Sequence, residues 1–476
     1  MLFNTVDFAI FLPVVFLLYW FVFKANIKIQ NIFLIVVSYF FYACWDWRFL
    51  GLIAVSSLVD FLVGKELAKT SLAKQRKLLL GLSLITNLGI LGFFKYFNFF
   101  IENFNQVFTL FGKSLESSTL QILLPVGISF YTFQTLSYTI DIYRGKIKPT
   151  NNVLAFFAFV SFFPQLVAGP IERASNLLPQ FLKARIFNYD KSVLGLKLII
   201  TGLFKKMVIA DNCARVVDEI FKYYPEQSGS TLFFGAFFFA FQIYGDFSGY
   251  SDIAIGSAKL FGFDLMKNFN MPYLSRNLGE FWRRWHISLS TWFRDYVYIP
   301  LGGNSGSKFK VVRNICIVFL VSGLWHGANW TFVVWGFIHA LCFLPLILNE
   351  RNTKFKDIAD GGKLFPSLKT ILQIGTTFLV VVLLWVFFRA ETLYDALNYL
   401  GGIFDKSLFS IPNVSRGLIL FLFVYLIVEW LQRDKDHILE ISFIKSKPIR
   451  LMVYYAVVFV VFYFAGETQA FIYFQF

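Results

Sequence analysis

The amino-acid sequence contains about a dozen apolar runs, each close to the roughly 20 residues that a helix needs to cross a bilayer. Segments in hydrocarbon must satisfy their own backbone hydrogen bonds, and single runs of this length do so as α-helices. The charged fraction is 15%, below the roughly 25% of soluble domains. We therefore predict an all-α polytopic membrane protein with about 11–12 transmembrane helices. The predicted spans lie near 8–23, 31–45, 49–64, 78–94, 120–140, 192–212, 231–247, 314–328, 331–348, 370–388, 416–431 and 451–465.

The formal net charge is +15, and the basic residues gather in short loops between the apolar runs. Examples are the loops at 65–77, 308–313 and 433–450. Counting the predicted spans puts every such loop on the same side, which the positive-inside rule assigns to the cytoplasm. Both termini are then predicted on the outer side. A basic charge distributed in this way favours contact with membrane lipid and argues against nucleic acid as a partner.

Two stretches do not read as simple spans. Residues 152–170 are apolar but contain Pro164, Gly169 and Pro170, which break a helix. Residues 278–300 mix aromatic with charged side chains, which a lipid-exposed helix cannot carry. We predict that both are re-entrant and surround a central tunnel. The sequence shows no internal repeat, so residues 1–476 are expected to form a single membrane domain.

His326 lies in the apolar stretch "SGLWHGANWTFVVWGFIHA" at 322–340, and the chain has only four histidines. Counted from the cytoplasmic end of its span, His326 is roughly 20 Å deep, where ionisable side chains are costly and usually functional. Apolar surroundings favour the neutral imidazole that a general base requires. Trp325 and Asn329 are candidate neighbours of this ring and, together with Asp246, candidate residues for binding the substrate or donor. On residue types alone, a histidine that only packs between helices remains the alternative.

His286 follows two arginines in "FWRRWHISLS". Arg283, Arg284 and the nearby Arg294 suit an anionic group such as the phosphate of a carrier or nucleotide-like donor. An amphipathic segment whose basic face meets lipid headgroups explains the same pattern equally well.

The other candidate polar residues have simpler explanations. His339 is expected to pack between helices, and His437 in "QRDKDH" is expected to be a solvated loop residue. Asp246 stands in an apolar context, where it orients a histidine, lines the chamber or caps a broken helix. The four cysteines, Cys44, Cys213, Cys316 and Cys342, show neither metal-ligand nor disulfide spacing, and no metal site is predicted.

The sequence closes on the aromatic motif "FIYFQF" at 471–476. Exposed aromatic side chains are costly in water, so this segment is expected to fold back onto the membrane surface or into a groove. Residue types alone favour an interfacial aromatic anchor over a chemical role for Tyr473.

Extended motifs in this sequence strongly resemble the membrane-bound O-acyltransferase family, in particular the branch of bacterial alginate O-acetyltransferases. The resemblance covers most of the chain, and one departure is Gly245, where the family often has cysteine. The matching stretches are "LPVGISFYTFQTLSYTIDIYRG" (124–145), "FFPQLVAGPIER" (162–173), "GLFKKMVIADN" (202–212), "FQIYGDFSGYSDIAIG" (241–256), "NFNMPYLSRNLGEFWRRWHISLSTWFRDYVYIPLGGN" (268–304), "SGLWHGANWTFVVWGFIHA" (322–340) and "FIYFQF" (471–476).

The resemblance implies that His326 is the catalytic histidine, that His286 is the second histidine of the family and that Tyr473 is an acyl relay. It implies a multi-pass protein of the bacterial cytoplasmic membrane that takes an acyl group, usually acetyl, from acetyl-CoA or an acyl-carrier thioester. No bound cofactor is expected. An extracytoplasmic partner of the SGNH-hydrolase type then acylates a polysaccharide, as in alginate or other exopolysaccharide biosynthesis. Two alternatives remain: a transporter or flippase of an acylated carrier, and an acyltransferase of the same fold acting directly on a lipid or protein.

Overall fold

The computed structural model describes residues 1–24, 26–110, 120, 122–167, 169–349, 351–466 and 469–472. Of the aromatic motif at 471–476 it includes Phe471 and Ile472, and Tyr473 lies outside the described residues. The regular secondary structure of the described part is helical and includes no strand, in agreement with the predicted all-α class.

The chain divides into two compact units. Unit 1 comprises Met1–Gly195 and Ala254–Met266, and unit 2 comprises Leu196–Ile253 and Lys267–Phe476. Two helices, Tyr189–Leu203 and Gly229–Leu260, contribute residues to both units. The single domain expected over 1–476 stays a prediction.

Unit 1 is built from helices with polar side chains at several of their first turns. Asn26 and Asn152, for example, accept backbone N–H groups at the starts of their helices, which satisfies donors that have no partner within the helix. The helices are α1 (Val6–Leu17), α2 (Ile27–Asp46), α3 (Leu50–Lys69), α4 (Ala73–Leu91), α5 (Phe97–Leu110), α6 (Ile128–Tyr143), α7 (Val153–Ser161), α8 (Phe163–Leu166), α9 (Ala174–Phe181) and the first part of α10 (Tyr189–Leu203).

Unit 2 holds the candidate catalytic residues that the structure describes. A π-helical segment, Phe204–Ala210, joins α10 to the next helix. The helices of this unit are α11 (Asp211–Lys222), most of α12 (Gly229–Leu260), α13 (Leu278–Arg284), α14 (Ile287–Phe293), α15 (Lys308–His326), α16 (Trp330–Leu348), α17 (Leu368–Arg389), α18 (Leu393–Ile403), α19 (Arg416–Leu431) and α20 (Lys447–Tyr463).

Each apolar run predicted as a span is helical along most of its described length, although several helices extend beyond the run or continue as π-helix. By length and composition, five stretches of the part of the chain that the structure describes are apolar and long enough to cross a membrane. They are Ile27–Lys69, Ala73–Thr109, Lys308–His326, Trp330–Leu348 and Leu368–Arg389. These stretches support a multi-pass membrane protein, and the full number of spans stays a prediction.

Both irregular stretches are interrupted where the sequence indicated. In 152–170, α7 ends at Ser161, the chain bends at Phe162, and the short helix α8 starts immediately before Pro164. In 278–300, α13 and α14 are short helices separated by Trp285 and His286. The re-entrant path of these stretches and the tunnel between them stay predictions.

Candidate active site

His326 is the last residue of α15, at the tip of a hairpin in which α15 and α16 pack side by side. A Cβ atom at Gly327 would overlap the ring of Phe332, so glycine permits the tight turn that follows the histidine. Asn329 caps α16 by accepting the Thr331 N–H at 3.0 Å, and its amide donates to the Glu391 carbonyl at 2.8 Å. The structure therefore gives Asn329 a part in shaping the hairpin, and its predicted contact with the donor stays a prediction.

The His326 imidazole is only 3% exposed and is enclosed by aromatic rings. The ring centroids of Trp325, Trp335 and Phe388 lie 5.0, 5.3 and 5.1 Å from it, all in edge-on geometry. Such an enclosure excludes most water from the ring, which limits hydrolysis of a reactive ester at the same place.

His286 occupies an unusual backbone conformation between α13 and α14. Its φ is 43°, in the left-handed region that non-glycine residues rarely adopt, although histidine is among those enriched there. Neighbouring hydrogen bonds fix this turn: Ile287 N–H donates to the Asn268 carbonyl at 2.9 Å, and the Ser288 hydroxyl donates to the Asn268 side chain at 2.9 Å. Strained backbone of this kind is retained where the surrounding structure determines it, often at functional sites.

The His286 ring is 1% exposed and packs against Phe247, with ring centroids 4.6 Å apart. Neither ring nitrogen has a hydrogen-bond partner among the residues that the structure describes. A buried polar group without a partner is costly, so this ring is well suited to bind a group that enters the site.

Folding brings the two predicted histidines together. The centroids of His286 and His326 are 6.5 Å apart, and Trp325 lies 5.8 Å from His286. His339 is a separate case: it is buried in α16 with its Nδ1 3.0 Å from the Trp335 carbonyl, as expected for a histidine that packs between helices.

The three predicted donor-binding arginines have partners within the chain. Arg283 donates to the carbonyls of Asn352 and Phe355, and Arg284 pairs with Glu280 at 2.9 Å. Arg294 is 59% exposed and pairs with Asp295 at 2.7 Å. Their predicted role in binding a donor stays a prediction.

Asp246 lies in the middle of α12, so the alternative that it caps a broken helix is wrong. It pairs with Lys206 at 2.8 Å and accepts the Ile472 N–H on its other oxygen at 2.6 Å. Lys206 also pairs with Asp211 at 2.8 Å. Lys206 and Asp211 were not among the residues predicted from the sequence to line the site, although charged residues inside an apolar run are a signal of function.

The tail segment, which we define as residues 469–472, lies beside the histidines. Phe471 is fully buried, with ring centroids 4.4 Å from Tyr250 and 6.0 Å from Phe247. Since Phe247 also packs on His286, one aromatic ring separates the tail segment from the histidine pair.

Polar cavities lie among the described residues of unit 2. One of about 470 Å³ is bordered by Asp218, Tyr224, Arg389, Glu391 and Asp395. It adjoins the histidine hairpin, because Phe388 precedes Arg389 and touches His326, while Asn329 binds the Glu391 carbonyl.

The second cavity is small, and Lys205, Asp252, Lys267, Glu429 and His437 are among its lining residues. His437 is 8% exposed, so the expectation of a solvated loop histidine is wrong. Burial lowers its pKa from the ordinary value. The polar neighbours of His437 in the sequence predicted an exposed loop, whereas residues of the 432–446 loop line this cavity.

Comparison with known proteins identifies several similar sequences. The family model described as MBOAT, membrane-bound O-acyltransferase family, matches residues 147–355, which include His286 and His326. A probable alginate O-acetylase of Pseudomonas aeruginosa is 41% identical over 87% of this chain and 76% of its own. A peptidoglycan O-acetyltransferase of Helicobacter pylori is 36% identical over 94% of this chain and 86% of its own. A teichoic acid D-alanyltransferase of Streptococcus thermophilus is 28% identical over 61% of this chain and 75% of its own.

Proposed function

Because the chain belongs to the membrane-bound O-acyltransferase family, it is an O-acyltransferase, and we propose that it passes an acetyl group across a membrane for O-acetylation of a polysaccharide. The observation that carries this proposal is the convergence of His286, His326 and the tail segment within one aromatic enclosure. The relatives support the same chemistry, since two of them are named for O-acetylation of alginate or peptidoglycan.

The proposed reaction has two transfers. In the first, His326 removes the proton from the Tyr473 hydroxyl, whose oxygen attacks the thioester carbonyl. The new bond joins that oxygen to the acyl carbon, the carbon–sulfur bond breaks, and the thiol leaves with the proton that His326 returns. In the second, the acyl group passes from the tyrosine to an outside acceptor, and the phenol regains a proton.

A base is needed because a phenol in water ionises only near pH 10. A positioned base contributes roughly 10²- to 10⁴-fold to such a step. Covalent bonding keeps Tyr473 close to its anchored neighbour, because Cα atoms joined by a trans peptide are about 3.8 Å apart. We assign His286, whose ring lacks a hydrogen-bond partner within the described structure, to contact with the thioester or the oxyanion.

The donor in this proposal is acetyl-CoA or an acyl-carrier thioester that arrives from the cytoplasm. Its anionic groups are proposed to bind Arg283, Arg284 and Arg294. The acceptor side faces outward in a bacterial cytoplasmic membrane, where both termini also lie. An SGNH-hydrolase-type partner would then carry the acetyl group to the polysaccharide. The cavity beside Arg389 and Glu391 is the candidate opening on that side.

Purified protein in proteoliposomes, incubated with acetyl-CoA labelled in its acetyl group, tests the proposal. We expect labelled enzyme, with the label on the peptide that contains Tyr473 by mass spectrometry. Unlabelled enzyme together with movement of an intact acylated carrier would identify a transporter. Label that accumulates on lipid or protein without a polysaccharide product would identify a different acceptor class.

A further inference from the structure

Two main-chain contacts hold the ends of the tail segment. The Lys206 ammonium donates to the Gln469 carbonyl at 3.1 Å, and Ile472 N–H donates to Asp246 at 2.6 Å. Between these points, Phe471 is buried against Tyr250. Because both polar contacts are to the backbone, they fix the path of the tail segment, while the aromatic contact fixes its register.

The groups that make these contacts form a buried ion cluster. Lys206 pairs with Asp246 and with Asp211. The exposed fractions of these side chains are 1% for Lys206, 3% for Asp246 and 9% for Asp211. One lysine faces two carboxylates, and Arg215 adds a positive charge that interacts with Asp211. Burying such charges is costly unless they are paired and hydrogen-bonded. The Ile472 N–H gives Asp246 a further hydrogen-bond donor, which couples the cluster to the tail segment.

The adjacent lysines have different partners. Consecutive residues of a helix point in different directions, and Lys205 pairs with Asp252 at 2.7 Å, while Lys206 pairs with Asp246 at 2.8 Å. The π-helical segment that carries both lysines lies against α12 at Gly245 and Gly249. A Cβ atom at Gly249 would lie 2.7 Å from the Gly202 carbonyl, so this close approach requires glycine.

We propose that Lys206, Asp246 and Asp211 form a binding site for the main chain of residues 469–472, here called the tail clamp. Its function is to hold the residue after Ile472 at the histidine pair. The three side chains are positioning residues, because they act through the tail segment. This inference rests on the proposed function, in which Tyr473 accepts the acyl group.

A pair of charge-preserving variants tests the clamp. Lys206→Met with Asp211→Asn keeps the net charge of the cluster and removes the contact to Gln469. Lys205→Met with Asp252→Asn removes the neighbouring ion pair and leaves the clamp intact. Hydrogen–deuterium exchange of the Ile472 amide in nanodiscs should accelerate at least about 10-fold in the first variant and stay at the wild-type rate in the second.

A positioning role also predicts a specific kinetic effect. In the clamp variant, the maximal rate of acyl transfer should fall by about 10-fold or more while the apparent KM for acetyl-CoA stays within about twofold, because donor binding is untouched. Unchanged exchange at Ile472 would refute the clamp, whatever the activity. Accelerated exchange with an unchanged rate would refute its positioning role. The relay role of Tyr473 is tested separately with the variant Tyr473→Phe. Undiminished acyl transfer by that variant would contradict the relay and not the clamp.

A second pair avoids the buried charges in case the first variant does not fold. Ile472→Pro removes the N–H that Asp246 accepts, and Ala470→Pro is the matched control at an exposed position of the same segment. Faster exchange of the Phe471 amide and a lower transfer rate are expected for Ile472→Pro alone. Equal behaviour of the two proline variants would contradict the clamp.

Discussion

The rings of His286 and His326 lie with their centroids 6.5 Å apart, although one belongs to a strained turn between short helices and the other to the end of a long helix. Trp325 contacts both rings. At this distance, one reacting group that entered the site could contact both imidazoles, as the proposed function requires. Because the two histidines lie on different structural elements, each can be replaced without changing the other.

Replacing His326 by glutamine should reduce acyl transfer by roughly 10²- to 10⁴-fold, because the proposed general base is lost while a polar side chain of similar size remains. Initial rates with labelled acetyl-CoA would measure this. His339→Gln is the matched control, since His339 is also buried beside Trp335. An equal loss in both variants would mean that the effect is structural.

Two substitutions of His286 should separate its backbone role from its ring. Asparagine tolerates the left-handed conformation, so His286→Asn should keep a nearly normal melting temperature, whereas His286→Ala should lose about 1–2 kcal/mol. Both should slow transfer by roughly 10- to 100-fold, as expected when a reacting group is misplaced. Wild-type rates in His286→Asn would remove this ring from the reaction.

Tyr473→Phe removes one hydroxyl and should prevent formation of the labelled acyl-enzyme. The phenyl ring is kept, so insertion into the membrane should be normal. Tyr455→Phe on α20 is the control, because Tyr455 is 70% exposed and remote in sequence from the tail segment. Mass spectrometry of the labelled peptides gives the result, and an acetylated glycan made by Tyr473→Phe would leave the motif at 471–476 as an anchor only.

Gly249→Ala should destabilise the protein by about 1–3 kcal/mol, as overpacking of a close contact usually does. The new methyl group would meet the Gly202 carbonyl at 2.7 Å. Gly375→Ala on α17 should be neutral or stabilising by up to about 1 kcal/mol, since no atom lies within 4 Å of its Cβ position. Thermal unfolding in detergent would compare them, and similar melting temperatures would show that α12 can shift at Gly249.

Glu172, outside the predicted spans, gives unit 1 a pH dependence. Burial raises the pKa of this carboxyl from 4.5 to about 7, against the opposing effect of the Met266 and Asn176 hydrogen bonds. The folded-state pKa is the higher one, so this contribution to stability is complete below pH 4.5 and is lost as the pH rises through about 7. Glu172→Gln should therefore flatten the decrease in melting temperature between pH 5 and 8. An identical decrease in both proteins would exclude Glu172 as its source.

Sequence patterns predicted the helices well because lipid solvation imposes a length and a polarity on each span. They also singled out His326 and the irregular stretch at 278–300, since ionisable groups are conspicuous in an apolar sequence. They did not predict the burial of His437, whose polar neighbours suggested solvent. Nor did they predict partners for Arg283 and Arg284, because these lie at loop carbonyls and at Glu280.

The amino-acid sequence by itself determined the membrane class, the helical segments and the candidate reactive side chains, because hydrophobic length and residue chemistry are local properties. Only the tertiary structure decided that His286 meets His326 and that Lys206, rather than Lys205, binds the tail segment. Those pairings depend on how closely helices approach and on the direction of each side chain. Both are set by packing between residues far apart in the chain.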